Sequence, residues 1–573
     1  MSMGTGYRTA PALSTTEPAL DPRTAPGRRA ADAGAPALGR FCPGAVAPRT
    51  GEDALRAALT DLARPFCVVR TPDGPAVGVG GTLHVGDGAP SDALDALAIA
   101  PPCRPEHLGD AGFRADHGLR YAYVAGAMAN GIGSEEIVVA MARAGMLGSF
   151  GAAGLAPARV EAALDRLATE LGDAPYACNL IHSPNEPALE AAVAELYVRR
   201  GVRTVEASAY LDLTLPLVRY RLAGIRRDAE GRVETPHRVI GKVSRVEVAA
   251  RFLAPAPAAL VDELVRRGDL TREQAELARH VPVAQDLTAE ADSGGHTDNR
   301  PLVTLLPTLL ALRDRAAAEH GYDRPLRVGA AGGIATPDAA AAAFAMGAAY
   351  VLTGSVNQAC VESGSSDAVR AMLAEAEQAD VVMAPAADMF EMGVKVQVLK
   401  RGTMFAMRAQ KLFELYRTRE SLEALTADER AQLERTLFRT DLESVWRDTC
   451  AYFAERDPRQ IEKAKADPRH RMALVFRWYL GQSSRWANAG DAARRLDYQV
   501  WCGPAMGAFN EWTRGSFLAR PEARRVANVA RNLLAGAAVR TRAAALAAQG
   551  VHVPAAAAAW RPRTDAELAE VLR

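Results

Sequence analysis

Short apolar runs alternate with amphipathic stretches through the middle of this chain, and this alternation most limits the folds open to it. Eight runs have the length and composition of buried strands: 121–128, 146–151, 176–182, 204–210, 238–244, 286–292, 327–334 and 350–355. The stretches between them have helical periodicity, as in parallel β/α units. Eight such units predict an α/β fold of the (β/α)8, or TIM barrel, type. A doubly wound open sheet is the alternative, although no strand leads into a G-x-G-x-x-G helix opening.

Three further regions flank the predicted barrel, which we place at 113–365. Residues 1–40 are rich in Pro, Ala, Arg and Thr and lack the apolar core of a signal peptide, so we predict a disordered lead-in. Residues 41–112 read as a small β-rich cap with a Pro-Asp-Gly hairpin turn. Residues 366–573 look almost wholly helical, and we predict a helical subdomain packed on the barrel.

The composition limits the kinds of molecule that we expect this chain to bind. The 68 basic and 68 acidic residues balance, which argues against nucleic acid as a partner. No apolar run has the length needed to cross a bilayer, so we expect no membrane association. The 7 cysteines contain no C-x-x-C pair, which excludes the common zinc frameworks and leaves no metal site predicted. Reduced thiols of this kind predict a cytoplasmic protein.

Glycine pairs at the ends of the last two predicted strands indicate a phosphate site. In a TIM barrel the active site lies at the carboxyl ends of the strands, and phosphate commonly binds after strands 7 and 8. Gly332 and Gly333 follow strand 7, and Gly354 and Ser355 follow strand 8. Glycine lets backbone N–H groups approach the phosphate oxygens closely, whereas a Cβ would block them.

Other strand ends carry candidate site residues. Met128 and Asn130 stand in a run of small residues after strand 1, where a flat ring would lie against the backbone. Asn179 is either a satisfied turn amide or a ring contact. Glu206 is either a salt-bridged residue or a contact of the site. Lys242 either extends to solvent or stabilises an anionic ring such as a reduced flavin.

The stretch AEADSGGHTDNRP, residues 289–301, follows the sixth strand. Its glycines, Gly294 and Gly295, predict a close approach of the backbone to a bound molecule. His296 comes next and is our leading candidate for a proton donor, with His182 after strand 3 as its competitor.

Several of these motifs resemble those of the nitronate monooxygenase and flavin-dependent enoyl reductase superfamily. Within it, the resemblance is closer to the PfaD-type trans-acting enoyl reductases of polyunsaturated fatty acid and polyketide synthases, and it covers roughly residues 108 to 550. The segments that carry it are YVAGAMANGIGS, NLIHSPNE, ADSGGHTDNRPL, LTGSVNQACVESG, APAADMFEMGVKVQVLKRGTMFAMRA, MALVFRWYLGQSSRWA and DYQVWCGPAMGAFNEW.

The resemblance implies an FMN-dependent enzyme. It would take a hydride from NADPH or NADH and reduce the α,β-double bond of an acyl chain held on an acyl carrier protein. His296 would occupy the position of the active-site histidine. Carried over, these residues would line FMN: Met128, Asn130, Asn179, Lys242, Gly295, Gly332, Gly333, Gly354 and Ser355.

Two alternatives stay open from the sequence. One is a flavin oxidase of the nitronate monooxygenase type, against which Asp298 argues because simpler members of the superfamily read GGHTG rather than GGHTD. The other is a flavin-stabilised docking subunit whose helical region binds a synthase with little turnover. The apolar helical region is also compatible with a homodimer.

Overall fold

The computed structural model describes residues 37–184 and 186–572. The predicted disordered lead-in, 1–40, lies outside these residues except for its last four. Of those four, Gly39 and Arg40 already belong to the first strand of the cap. Within the described part of the chain, no helix is long and apolar enough to cross a membrane.

The cap is a six-stranded antiparallel sheet with one helix against it. Its elements are β1 Gly39–Cys42, β2 Arg49–Thr50, α1 Glu52–Thr60, β3 Phe66–Thr71, β4 Gly74–Val79, β5 Thr82–His84 and β6 Leu94–Ala100. The predicted hairpin forms between β3 and β4, with Thr71 opposite Gly74. Gly74 has a φ of 105°, a left-handed region that favours glycine.

The eight predicted barrel strands all form, and they close into one parallel barrel in chain order. They are β7 Tyr123–Ala125, β8 Leu147–Phe150, β9 Ala177–Ile181, β10 Thr204–Ser208, β13 Arg238–Val243, β14 Asp286–Glu290, β16 Arg327–Ala331 and β17 Val351–Thr353. A small hairpin after β10, β11 Arg226–Arg227 and β12 Val233–Glu234, and a short strand after β14, β15 Gly295–His296, interrupt the repeat. The TIM barrel prediction is confirmed, and the open-sheet alternative is wrong because β17 pairs with β7.

Helices surround the barrel at the places where the sequence predicts them. They are α2 Ala111–His117, α3 Glu135–Arg143, α4 Pro157–Leu171, α5 Pro187–Arg199, α6 Leu215–Leu222, α7 Val246–Leu253, α8 Ala258–Arg267, α9 Arg272–Leu277, α10 Leu302–His320, α11 Pro337–Ala345 and α12 Ser355–Gln358. Ser134 caps α3 by accepting a hydrogen bond from the N–H of Ile137. Pro157 and Pro337 stand at first helical positions, where a missing N–H costs nothing.

The C-terminal region is mainly helical. Its helices are α13 Asp367–Ala374, α14 Phe405–Thr418, α15 Ala427–Gln432, a π-helical segment Leu433–Phe438, α16 Leu442–Arg456, α17 Arg459–Ala466, α18 Pro468–Ala489, α19 Ala505–Thr513, α20 Val526–Ala548, α21 Ala555–Ala558 and α22 Asp565–Val571. The sequence analysis missed a hairpin here, formed by β18 Val381–Pro385 and β19 Lys395–Leu399. β19 also pairs with the short strand β15 and so forms a three-stranded sheet at the mouth of the barrel.

The long helix α20 joins the C-terminal region to both other parts. It packs along α11 of the barrel, and the buried side chain of Arg542 extends from it to the cap. There the guanidinium donates to the carbonyl oxygens of Ala58 and Leu59 at 2.9 and 3.1 Å, near the end of α1. These bonds satisfy carbonyls that the end of a helix leaves without partners.

Candidate active site

A cavity of about 620 Å³ lies over the carboxyl ends of the barrel strands. Its opposite wall comes from α16 and α18 of the C-terminal region. Its volume is typical of a cofactor or substrate site. The candidate proton donor His296 lines it together with all the predicted cofactor residues: Met128, Asn130, Asn179, Lys242, Gly294, Gly295, Gly332, Gly333, Gly354 and Ser355.

Glycines form the floor of the cavity at the end of strands β16 and β17. A Cβ on Gly333 or Gly354 would meet no atom within 4 Å, so both positions face open space. A Cβ on Gly332 would lie 2.6 Å from the carbonyl carbon of Ala291, which explains why a side chain is excluded there. Nearby, the buried Oγ of Ser293 has no hydrogen-bond partner among the described residues. An open glycine floor beside an unpartnered hydroxyl fits a phosphate-bearing cofactor.

Lys242 faces the cavity rather than bulk solvent, with 14% of its side chain exposed. Its Nζ lies 3.0 Å from Glu290 Oε1 and 3.5 Å from Glu206 Oε1. Burial alone would lower the pKa of Lys242, but Glu290 and Glu206 together raise it. The ammonium therefore stays charged, and it places a positive group against whatever lies in the cavity.

Glu206 fits the salt-bridged interpretation. Its side chain is buried beneath Lys242, and its Oε2 accepts a hydrogen bond of 3.1 Å from the N–H of Ala127. Burial raises the pKa of Glu206, partly offset by Lys242. Asn179 lines the cavity, and its Nδ2 donates to the carbonyl of Glu206 and to Ser208 Oγ.

Asn130 connects the barrel to the helical wall. Its φ of 58° is left-handed, a conformation that asparagine tolerates better than most residues. Its Nδ2 donates to Ser484 Oγ of α18 at 3.1 Å. The loop after the first barrel strand is thereby fixed against the C-terminal region, with Met128 beside it in the cavity lining.

His296 is held in β15, opposite Val396 of β19. Its Nε2 lies 3.2 Å from Asp388 Oδ1, within ion-pair distance. Burial would lower the pKa of His296, but the Asp388 carboxylate, helped by Glu290, raises it above the ordinary value. The imidazole therefore keeps its proton to higher pH, as a general acid requires.

The competing histidine, His182, is absent from the described lining of the cavity. Its Nδ1 lies 3.4 Å from Glu190 Oε2, and its ring packs against Tyr210 with centroids 5.4 Å apart. Glu190 also accepts hydrogen bonds from the hydroxyls of Tyr210 and Thr214. These contacts are those of a residue packed beside the cavity, and they favour His296 as the candidate proton donor.

The acidic neighbours of His296 hold the loop in place. Asp298 accepts bonds of 2.9 and 3.0 Å from Arg245 and one of 2.5 Å from Ser244 Oγ. The Arg245 guanidinium lowers the pKa of Asp298 to about 2. Asp292 accepts from Asn299 and Gln397. Both aspartates therefore act as hydrogen-bonding neighbours rather than as paired acid catalysts.

The sequence analysis did not identify two groups of residues in the cavity. One is Asp388, which lies between β18 and β19. The other group lies on the helical wall and comprises Tyr452, Arg456, Arg477, Trp478 and Arg485.

Two family models match the chain. The model described as nitronate monooxygenase matches residues 117–414, and the model described as [acyl-carrier-protein] S-malonyltransferase, inserted helical domain, matches residues 419–498. The first spans the barrel and the hairpin that pairs with β15. The second spans α15 to α18 and therefore the helical wall of the cavity.

Similar proteins come from fatty acid and polyketide synthesis. A polyunsaturated fatty acid synthase subunit of Thraustochytrium sp. is 50% identical over 73% of this chain, and polyketide biosynthesis protein PksE of Bacillus subtilis is 45% identical over 76%. The chain spans only 28% and 56% of the lengths of these two relatives. The enoyl reductase domain of MlnA from Bacillus amyloliquefaciens is 39% identical with a TM-score of 0.73, over 77% of this chain and 99% of that domain.

Proposed function

Because the chain belongs to the nitronate monooxygenase family, and within it to the PfaD-type enoyl reductases, we propose that it is an FMN-dependent enoyl reductase. Its substrate would be an α,β-unsaturated thioester on an acyl carrier protein, reduced at the expense of NADPH or NADH. The observation that carries the proposal is the meeting of His296 with a glycine floor and Lys242 in one cavity.

The residues of the cavity suit FMN. Gly332, Gly333, Gly354 and Ser355 would hold its phosphate, and Met128, Asn130 and Asn179 would contact its ring. Lys242 would stabilise negative charge on the ring. When bound and reduced, FMN supplies the hydride that adds to the β-carbon of the substrate.

His296 would complete the reduction. Addition at the β-carbon builds negative charge on the thioester oxygen, and the α-carbon then needs a proton. We assign that proton to His296, whose pKa is raised by Asp388, so that the imidazole keeps its proton to higher pH than an ordinary histidine. Asp388 is a positioning residue, because it acts through the histidine and holds its charge.

Replacing Asp388 with asparagine should shift the alkaline limb of the pH–rate profile to lower pH. Without the carboxylate, burial is left to lower the pKa of His296, and the acid form is lost earlier as pH rises. Turnover measured from pH 6 to 10 checks this. The control is Asp298→Asn, which removes a carboxylate that pairs with Arg245 and not with His296. It should leave the alkaline limb unchanged. If the alkaline limb of the pH–rate profile does not move in Asp388→Asn, Asp388 is not a positioning residue.

An anaerobic experiment tests the proposed function. The protein is purified with its flavin, reduced by NADPH without oxygen, and mixed with a crotonyl-loaded acyl carrier protein. We expect the absorbance near 450 nm to return as the enoyl thioester is reduced, at a rate no slower than turnover. No return with the thioester but rapid return with oxygen and a nitronate would assign the chain to the oxidase alternative. Slow return with both would favour the docking-subunit alternative.

A further inference from the structure

The helical wall of the cavity carries three arginines around one tyrosine. The guanidinium carbons of Arg456 and Arg485 lie 5.3 and 5.6 Å from the ring centroid of Tyr452, and Arg477 lies on the same wall. We call Tyr452, Arg456, Arg477 and Arg485 the arginine wall. It belongs to α16 and α18, whereas the glycine floor belongs to the barrel.

Carboxylates pair with two of the three arginines of the arginine wall. Arg456 Nε donates to Glu186 Oε1 at 2.8 Å, and Arg477 NH1 donates to Glu391 Oε1 at 3.2 Å. Arg485 has no carboxylate within ion-pair distance in the described part of the chain.

The other carboxylates in the cavity lining do not neutralise the positive charge of Arg485. Glu290 faces Lys242, and Asp388 faces His296. Asp448 is the further carboxylate in the lining, and it is exposed on α16. The wall therefore carries a guanidinium available to an anion, next to two that are held in position by carboxylates.

We propose that the arginine wall binds the phosphodiester of the phosphopantetheine arm that carries the substrate; this inference rests on the proposed function. Guanidinium groups form paired, charge-assisted hydrogen bonds to phosphate. The wall and His296 line the same cavity, so an arm held at the wall would direct its thioester toward the proton donor. The glycine floor already provides a separate place for the FMN phosphate. The wall also lies within the segment that matches a helical domain of a carrier-protein enzyme.

Two small substrates that differ only in the phosphate test the inference: crotonyl-pantetheine and crotonyl-4′-phosphopantetheine. We expect the wild-type protein to show a higher kcat/KM for the phosphorylated thioester. Arg485→Ala should reduce that preference about tenfold, as expected for one lost hydrogen bond to a charged group. The KM for NADPH should not change. This result would show that Arg485 binds the phosphate of the substrate arm and not a phosphate of the nucleotide.

The matched control is Arg447→Ala. Arg447 lies on α16, is exposed as Arg485 is, contacts Ser444 and does not line the cavity. Its loss should leave the preference intact. An unchanged preference in Arg485→Ala overturns the inference, and so does a higher KM for NADPH with no change in preference. Reduction of both small thioesters by the wild type without preference overturns the inference alone. Failure to reduce the small thioesters and the carrier-bound substrate alike overturns the proposed function.

Discussion

Replacing His296 with glutamine is expected to lower turnover of a crotonyl-loaded carrier protein by roughly a hundred- to a thousandfold, the range in which general acids contribute. Glutamine keeps polarity at the position but has no proton to transfer at neutral pH. Reduction of the flavin by NADPH should continue at a similar rate, because that half-reaction does not need the α-carbon proton. Stopped-flow absorbance at 450 nm measures the two half-reactions separately.

His182→Gln is the control for this variant. Both histidines follow barrel strands, but His182 is paired with Glu190 and lies outside the cavity lining. Its replacement should change turnover by no more than a few fold. The assignment of the proton donor is wrong if His296→Gln turns over like the wild type, or if His182→Gln is the more severely impaired variant.

Replacing Gly354 with valine is expected to weaken FMN binding by more than about a hundredfold. The new side chain would project into open space at the glycine floor, where the phosphate would lie, and several charge-assisted contacts of about 1.5–3 kcal/mol each would be lost. Gly354 has a φ of −128°, so valine strains no left-handed backbone. Fluorescence titration of the apoprotein with FMN gives the dissociation constant, and circular dichroism checks the fold.

Gly481→Val provides the comparison. A Cβ at Gly481 also meets no atom within 4 Å and also lies at the cavity, but on α18 rather than on the barrel. FMN affinity should stay within a few fold of the wild type. Equal losses in the two variants would contradict a phosphate site at the glycine floor, and so would full FMN binding by Gly354→Val.

The barrel could be predicted from the sequence because its strands are buried on both faces, so short segments rich in apolar and small residues recur between helical stretches. The β18–β19 hairpin could not be. Its strands lie among stretches with helical periodicity. Part of their stability comes from pairing with β15, about a hundred residues earlier in the chain. Local sequence patterns do not reveal a pairing partner that lies so far away along the chain.

The part of the candidate site that belongs to the barrel could also be predicted from the sequence, whereas the part that lies beyond the barrel could not. Strand ends converge in any TIM barrel, so the glycines, Lys242 and His296 could be placed at one mouth before the structure was known. Asp388 reaches His296 only because the hairpin folds back onto the barrel. The arginine wall faces the cavity because α16 and α18 pack there, and their aromatic-rich sequence equally suits a buried core. The sequence alone also did not separate His182 from His296, since the choice depends on which way each ring turns.

The pairing of Gly295 and His296 with β19 affects where this chain can be divided. A fragment that stops at the last barrel strand would retain all eight strands but lose the backbone that holds the proposed proton donor. A fragment that keeps His296 in its place therefore includes the barrel together with the hairpin, and a gene fusion or excision must preserve both. In evolution, these two segments would have to be inherited as one exchangeable piece.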